Sequence, residues 1–237
     1  NTRRGSIEPR SLLIGSEVKE LVRKGKQLAI IVSNDADTER MVLIQLGMSG
    51  QVSLIDTPRI SQAKHVHVVW TLDDGRRVVF RDARRFGGVT LLPDRDALER
   101  AWSTLGPDGL TIRGQDLIDA IGGSQRTIKA ALLDQGVLAG VGNIYADEAL
   151  HQAGIDPRSI CTHLEPGMVR ALAKAIRAIL TAAVEARGST LRDYRDPSDQ
   201  PGSAQLLHRV YGRGGEPCTK CGSTIEQTRI AQRSTCW

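Results

Sequence analysis

LAGVGNIYADEALHQAGIDPRS runs from Leu138 to Ser159, and the fold turns on what it encodes. Gly140 and Gly142 flank a single valine, so no side chain there holds a neighbour away from the backbone. Asn143 is a residue type that caps helices, and the spacing predicts a helix beginning at Ile144. Gly154 and Pro157 cut it off sharply. The first-turn amides of such a helix, with the helix dipole behind them, make an anion site. A second helix is expected just upstream, over Thr127–Asp134, and it carries Lys129. Two helices joined by a glycine turn, with outward amides and a nearby cation, suit a phosphate backbone. The same pattern also fits an ordinary helix hairpin whose glycines serve only close packing.

Downstream, Met168, Leu172, Ile176, Ile179 and Ala183 recur at helical spacing, and Gly188 closes that helix. A polar loop follows, Arg195–Ser203, expected to be too polar to pack, and then a basic tail with Cys218 and Cys221. Upstream the pattern changes. Leu28–Val32, Met41–Leu46, Gln51–Ile55, Val66–Leu72, Arg77–Phe80 and Val89–Leu92 are short and rich in β-formers, and Asp73-Asp74-Gly75 is a tight hairpin signal. Many short strands at close spacing predict a sandwich or barrel. The fold class is therefore α+β: an N-terminal β domain over residues 1–107, a helical domain over 108–204, and a small module over 205–237.

The chain has 237 residues, 40% hydrophobic and 25% charged, enough for a core in each large domain. No apolar run reaches the length of a membrane span and no signal-peptide pattern opens the chain. No membrane partner is expected, and the expected location is the cytoplasm. The formal net charge of +5 suits a polyanionic partner, although a basic soluble surface has the same charge. Without a secretory signal the four cysteines do not predict a disulfide framework. Cys218 and Cys221 form a Cys-x2-Cys pair, half of a zinc site. Sixteen residues, 222 to 237, separate Cys221 from the position after Trp237, which is where a third ligand is expected. Cys161 reads as a structural thiol.

AGVGNIYADEALHQAGIDPRS resembles the helix–two-turn–helix motif of the formamidopyrimidine-DNA glycosylase and endonuclease VIII family, bacterial enzymes that repair oxidised bases. QLGMSG, DARRFG, LGPDGL, TIKAALLDQ, VYGRGGEPC and AQRST occur in family order, so the resemblance covers nearly the whole chain. LGMSG with ARRFG fits the branch that acts on oxidised purines. The resemblance implies a β-sandwich followed by the helical motif and a zinc-finger β-hairpin holding one structural zinc ion, with Cys218 and Cys221 as ligands. Cys236 matches an aromatic position of the family and is not counted as a ligand.

The resemblance also implies the site residues. Lys26 matches a lysine of the catalytic pocket, and Arg233 an arginine of phosphate contact and of the last elimination step. Lys129, Asn143 and Tyr211 match phosphate contacts. Met48, Arg84 and Phe86 match the set that fills the hole left by a flipped base, although Met48 or Phe86 alone would suit a core equally well. His65 and His67 share one face if both lie on a strand and would then make a weak metal pair; the resemblance instead turns His65 toward DNA. Gln45 and Ala83 depart from the histidine and proline common in the family.

The family reaction uses an N-terminal proline amine as nucleophile and an adjacent glutamate as acid. This sequence opens with Asn1-Thr2-Arg3-Arg4-Gly5, which matches the segment just downstream of them, and the chain as it stands is expected to lack lyase activity. Between Ile7-Glu8-Pro9 and Leu12 the family has roughly a strand pair more, so a stretch is expected to be missing near Pro9–Arg10. The expected function is a bifunctional glycosylase and AP lyase of base excision repair. It would act as a monomer on double-stranded DNA containing 8-oxoguanine, formamidopyrimidine or abasic sites, at the bacterial nucleoid. A non-catalytic binder of damaged DNA is the alternative, and an RNA-binding zinc-ribbon protein fits the charge but not the ordered motifs.

Overall fold

The computed structural model describes residues 13–34, 38–56, 64–190, 194–198 and 200–237. Pro9 and Arg10, where a missing stretch is expected, lie outside them. The chain divides into two compact units, residues 1–104 with 197–199, and residues 105–196 with 200–237. The segment from residue 205 onward packs within the second unit.

The N-terminal unit is built on two antiparallel sheets. One has the order β1-β2-β3-β7, from Glu17–Lys24, Gln27–Ser33, Glu39–Gln45 and Gly88–Leu92; the other has β4-β6-β5, from Gly50–Ile55, Arg77–Asp82 and Val66–Thr71. Alternation across the pleat explains why β2 and β3 are apolar on both faces. Leu28, Ile30, Val42 and Ile44 point one way and pack with Val52, Val68, Trp70 and Phe80 of the second sheet. Ala29, Ile31, Met41 and Leu43 point the other way and are covered by Leu98 and Trp102 of helix α1, Arg95–Trp102. The unit is thus a β-sandwich with one helix laid on its back. Asp94 caps α1, its carboxylate accepting the Ala97 amide at 2.7 Å.

In the C-terminal unit, α2 (Gly114–Ile121), α3 (Ile128–Leu133), α4 (Asn143–Ala153) and α5 (Pro166–Glu185) share one core centred on Leu117, Leu132, Leu150, Leu172 and Ile176. α5 buries Leu172, Ile176, Leu180 and Ala183 at helical spacing, while Met168 stays 37% exposed. Gly154 stops α4 in the left-handed conformation at φ 68°, and the Ile155 amide returns to the Leu150 carbonyl at 3.0 Å. The last element is a two-stranded hairpin, β8 (Gln227–Ile230) with β9 (Arg233–Cys236). No helix among the described residues is long and apolar enough to cross a membrane.

Candidate functional site

In the N-terminal unit the sequences LGMSG and DARRFG fold into adjacent loops. Gly47 and Gly87 are where the backbones meet. A Cβ on Gly47 would lie 2.6 Å from the Phe86 carbonyl carbon, and one on Gly87 2.5 Å from the Gln45 oxygen. Asp82 ties the loops together from beneath. Its buried carboxylate accepts the Ser49 hydroxyl at 2.6 Å, the Gly87 amide at 2.7 Å and the Arg84 amide at 3.3 Å. Burial alone would raise the Asp82 carboxyl, but Ser49 and the amides of Gly87, Arg84 and Arg85 outweigh it and hold the group below its ordinary value.

On this rigid base the apolar side chains face solvent rather than core. Met48 is 62% and Phe86 59% exposed. The Arg84 guanidinium stacks over the Phe86 ring at 4.8 Å. A methionine, a planar cation and an aromatic are therefore displayed on two loops that cannot easily move apart. Lys26 is exposed beside Gly25 in the two-residue turn joining β1 and β2. His65 precedes β5 in the left-handed conformation, φ 66°, so it does not share a strand face with His67. That corrects the metal-pair reading. His67 is occupied, its Nε2 lying 2.8 Å from the Asp82 carbonyl oxygen.

In the C-terminal unit the α3–α4 connection is organised by Gln135. Its side-chain amide donates to the Leu133 and Val141 carbonyls at 3.1 and 3.0 Å, and its carbonyl accepts the Gly140 amide at 3.0 Å. Gly140 sits at φ 103°. LGPDGL lies against the same turn, with the Gly106 amide on the Gln135 carbonyl at 2.9 Å. The N-cap of α4 is Gly142, not Asn143. Asn143 instead opens the helix and sends its side-chain Nδ2 to the Ser234 carbonyl of β9 at 2.9 Å. The first intrahelical bond is made by Ala146, which leaves the preceding amides at the N-terminus as the expected anion-facing group.

Lys129 requires correction. It was expected to grip phosphate, but it has no exposed surface. Its ammonium is ion-paired with Asp147 at 2.5 Å and donates to the Ser234 carbonyl at 2.9 Å and the Thr235 hydroxyl at 2.7 Å. Two hydrogen bonds and an ion pair enclose the ammonium, and with no exposed surface it has no open side to turn to a phosphate. Burial pushes the lysine down and the aspartate up, each opposed by its partner.

Asp147 and Glu148, consecutive on α4, were not singled out in the sequence, and both are buried anchors. Asp147 also accepts the Cys236 amide at 3.1 Å. Glu148 accepts the amides of Arg209, Val210 and Tyr211 at 2.8, 3.0 and 2.8 Å. Tyr211 is thereby fixed at its backbone, its ring edge-on to His208 at 5.8 Å. Arg233 is exposed where β9 leaves a two-residue turn, Ala231-Gln232, at φ 48° and 61°. The polar stretch after Arg195 is partly packed, contrary to expectation. Asp196 is buried, pairing with Arg187 at 3.2 Å and accepting the Gln200 amide at 2.9 Å.

Cys218 and Cys221 lie in a turn closed by the Gly222 amide on the Cys218 carbonyl at 2.9 Å. The Lys220 amide points at the Cys218 sulfur at 3.4 Å. Hydrogen bonds from Ser223 and from Cys218 hold the Cys221 thiol below its ordinary value, which favours the thiolate a metal requires. The pair fits half of a tetrahedral zinc site. Among the described residues no group of three or more His, Cys, Asp or Glu is arranged to hold a metal. Cys236 is buried with Val210, Cys218 and Ile225.

Two family models match the chain: the formamidopyrimidine-DNA glycosylase N-terminal domain over residues 2–89 and the formamidopyrimidine-DNA glycosylase H2TH domain over 105–195. A formamidopyrimidine-DNA glycosylase of Chloroflexus aurantiacus is 41% identical over 227 residues, covering 95% of this chain and 80% of the relative. Two solved structures of Lactococcus lactis Fpg are similar in fold. A variant complexed with Fapy-dG-containing DNA gives a TM-score of 0.84 at 29% identity, covering 96% of this chain and 82% of that one. A complex with abasic-site DNA gives 0.83 at 28%, with the same coverage.

Proposed function

This chain belongs to the formamidopyrimidine-DNA glycosylase family, and from that we propose that it serves base excision repair as a bifunctional glycosylase and AP lyase acting on oxidised purines in double-stranded DNA. The observation that carries the reading is the display of Met48, Arg84 and Phe86 on loops locked by Asp82 and two glycines. A base leaving the stack costs a few kcal/mol, and the void must be filled by groups already in place. Met48 and Phe86 are apolar enough to occupy it, and the planar Arg84 can donate two parallel hydrogen bonds to the base left unpaired.

In this reading the C-terminal unit holds the backbone. The α4 N-terminus with Asn143, the loop with Tyr211 and the hairpin with Arg233 each take a phosphate. His65 and Lys26 act from the N-terminal unit, His65 on DNA and Lys26 beside the reacting sugar. One structural zinc ion would be held by Cys218 and Cys221 with two further donors, fastening the turn that precedes β8. The covalent step belongs to the family's N-terminal Pro-Glu pair, which this sequence does not include. The proline amine attacks the sugar C1′, the base departs with a proton, and the iminium permits elimination of the flanking phosphates.

The test is a pair of measurements on duplexes containing 8-oxoguanine or an abasic site opposite cytosine. The chain should bind both more tightly than undamaged duplex. With the family's N-terminal pair restored it should crosslink to the abasic strand. Equal affinity for damaged and undamaged duplex would overturn the reading. Binding without crosslinking after restoration would leave the non-catalytic binder.

A further inference from the structure

The buried Lys129–Asp147 pair is not explained by phosphate binding, nor well explained as a source of stability. Taking two charges out of water costs several kcal/mol, and well-packed apolar residues often serve a fold equally well. What this pair does, and apolar residues would not, is present hydrogen-bonding groups to the hairpin at fixed points. Lys129 directs two donors at β9, to the Ser234 carbonyl and the Thr235 hydroxyl. Asp147 takes the Cys236 amide on its second oxygen. Asn143, from the start of the same helix as Asp147, reaches the same Ser234 carbonyl. Every residue of β9 after Arg233 is thus tied to the two helices.

We propose that Asp147 is a positioning residue for Arg233: with Lys129 it fixes the height and register of β9 on the helix pair, so that Arg233 meets the DNA backbone at one set position. The inference rests on the reading that Arg233 works on bound DNA. Asp147 acts through Lys129 and the β9 backbone and touches no nucleic acid itself.

The test is a double-mutant cycle between Arg233 and the pair. Lys129→Met with Asp147→Asn removes both buried charges, keeps the volume, and leaves a carbonyl oxygen for the Cys236 amide. It deletes the donors to Ser234 and Thr235. In the parent chain, Arg233→Ala should weaken binding to an abasic duplex about tenfold, as expected for a lost charge-assisted hydrogen bond. In the double-variant background the same substitution should change affinity less than about twofold, because Arg233 no longer has a set position. A general loss of stability would not erase the effect of one side chain selectively, and melting curves confirm that the double variant folds. If it does not fold, Asp147→Asn alone takes its place. An equal effect of Arg233→Ala in both backgrounds would overturn the proposal. If Arg233→Ala has no effect in the parent chain, the DNA reading of Arg233 is wrong. Hydrogen exchange then decides the positioning: β9 amides exchanging about tenfold faster in the double variant support it, and unchanged exchange defeats it.

Discussion

At the scale of single residues, Asp82 shows how a carboxylate with no chemistry of its own sets the geometry of the groups around it. Its folded-state value is depressed, so its contribution is fully present above the unfolded carboxyl value near 4 and is lost as pH falls through the folded value. Asp82→Asn should cost about 2 kcal/mol near neutral pH, the scale of lost hydrogen bonds to a charged group. The gap in melting temperature between the two proteins should close as pH drops below about 4. A gap that stays constant to pH 3 would assign the loss to packing. Asp147 and Glu148 hold comparable posts, and they were not legible. Acidic residues inside an amphipathic helix read as its solvated face, because their backbone partners lie about ninety residues away for Asp147 and about sixty for Glu148. Lys129 was misread for the same reason: a cation near a glycine turn looks free until its carboxylate is located.

At the scale of elements, the strands found were those whose residues face the core. The six expected strands are β2 through β7, while β1 escaped notice. Its sequence EVKELVRK lies at the edge of its sheet among the described residues, with most residues exposed, so no apolar alternation marks it. Helix α1 escaped because it buries only Leu98 fully. The β8–β9 turn carries the sharpest local conflict. A two-residue turn with positive φ at both positions favours Asn-Gly, yet it holds Ala231 and Gln232. Replacing them, Ala231→Asn with Gln232→Gly, should stabilise the hairpin by about 1 kcal/mol. Slower exchange of the Ile230 and Arg233 amides would register the gain, and faster exchange would mean that the native pair makes compensating contacts.

At the scale of the whole molecule, the net charge of +5 is compatible with a polyanionic partner but does not say which cations would meet it. Burial does. In a chain that already carries Arg233→Ala, adding Lys129→Ala should leave the slope of log affinity against log salt unchanged, because the buried ammonium releases no counterion. Arg233→Ala should reduce that slope by about 0.9. Titrations of duplex binding between 50 and 200 mM salt, a range over which such slopes are resolved, would separate the two, and a further fall in slope when Lys129→Ala is added to Arg233→Ala would return Lys129 to the interface. Division into a sheet unit and a helical unit was legible from the change of period after Pro107. Packing of residues 205–237 into the helical unit was not, since it depends on the buried carboxylates of Asp147 and Glu148.

The anchors on α4 have one property in common. Glu148 receives main-chain amides from Arg209, Val210 and Tyr211, and Asp147 receives the amide of Cys236. The Ser234 group that takes Lys129 and Asn143 is a carbonyl. Apart from the Thr235 hydroxyl, the docked segments are gripped by their peptide units, so the exposed side chains at Arg209 and Ser234 are interchangeable parts on a fixed mount. New contacts to a nucleic acid can be installed there without rebuilding the attachment. Proline is the exception: at any of Arg209, Val210, Tyr211 or Cys236 it would delete the amide by which the mount holds.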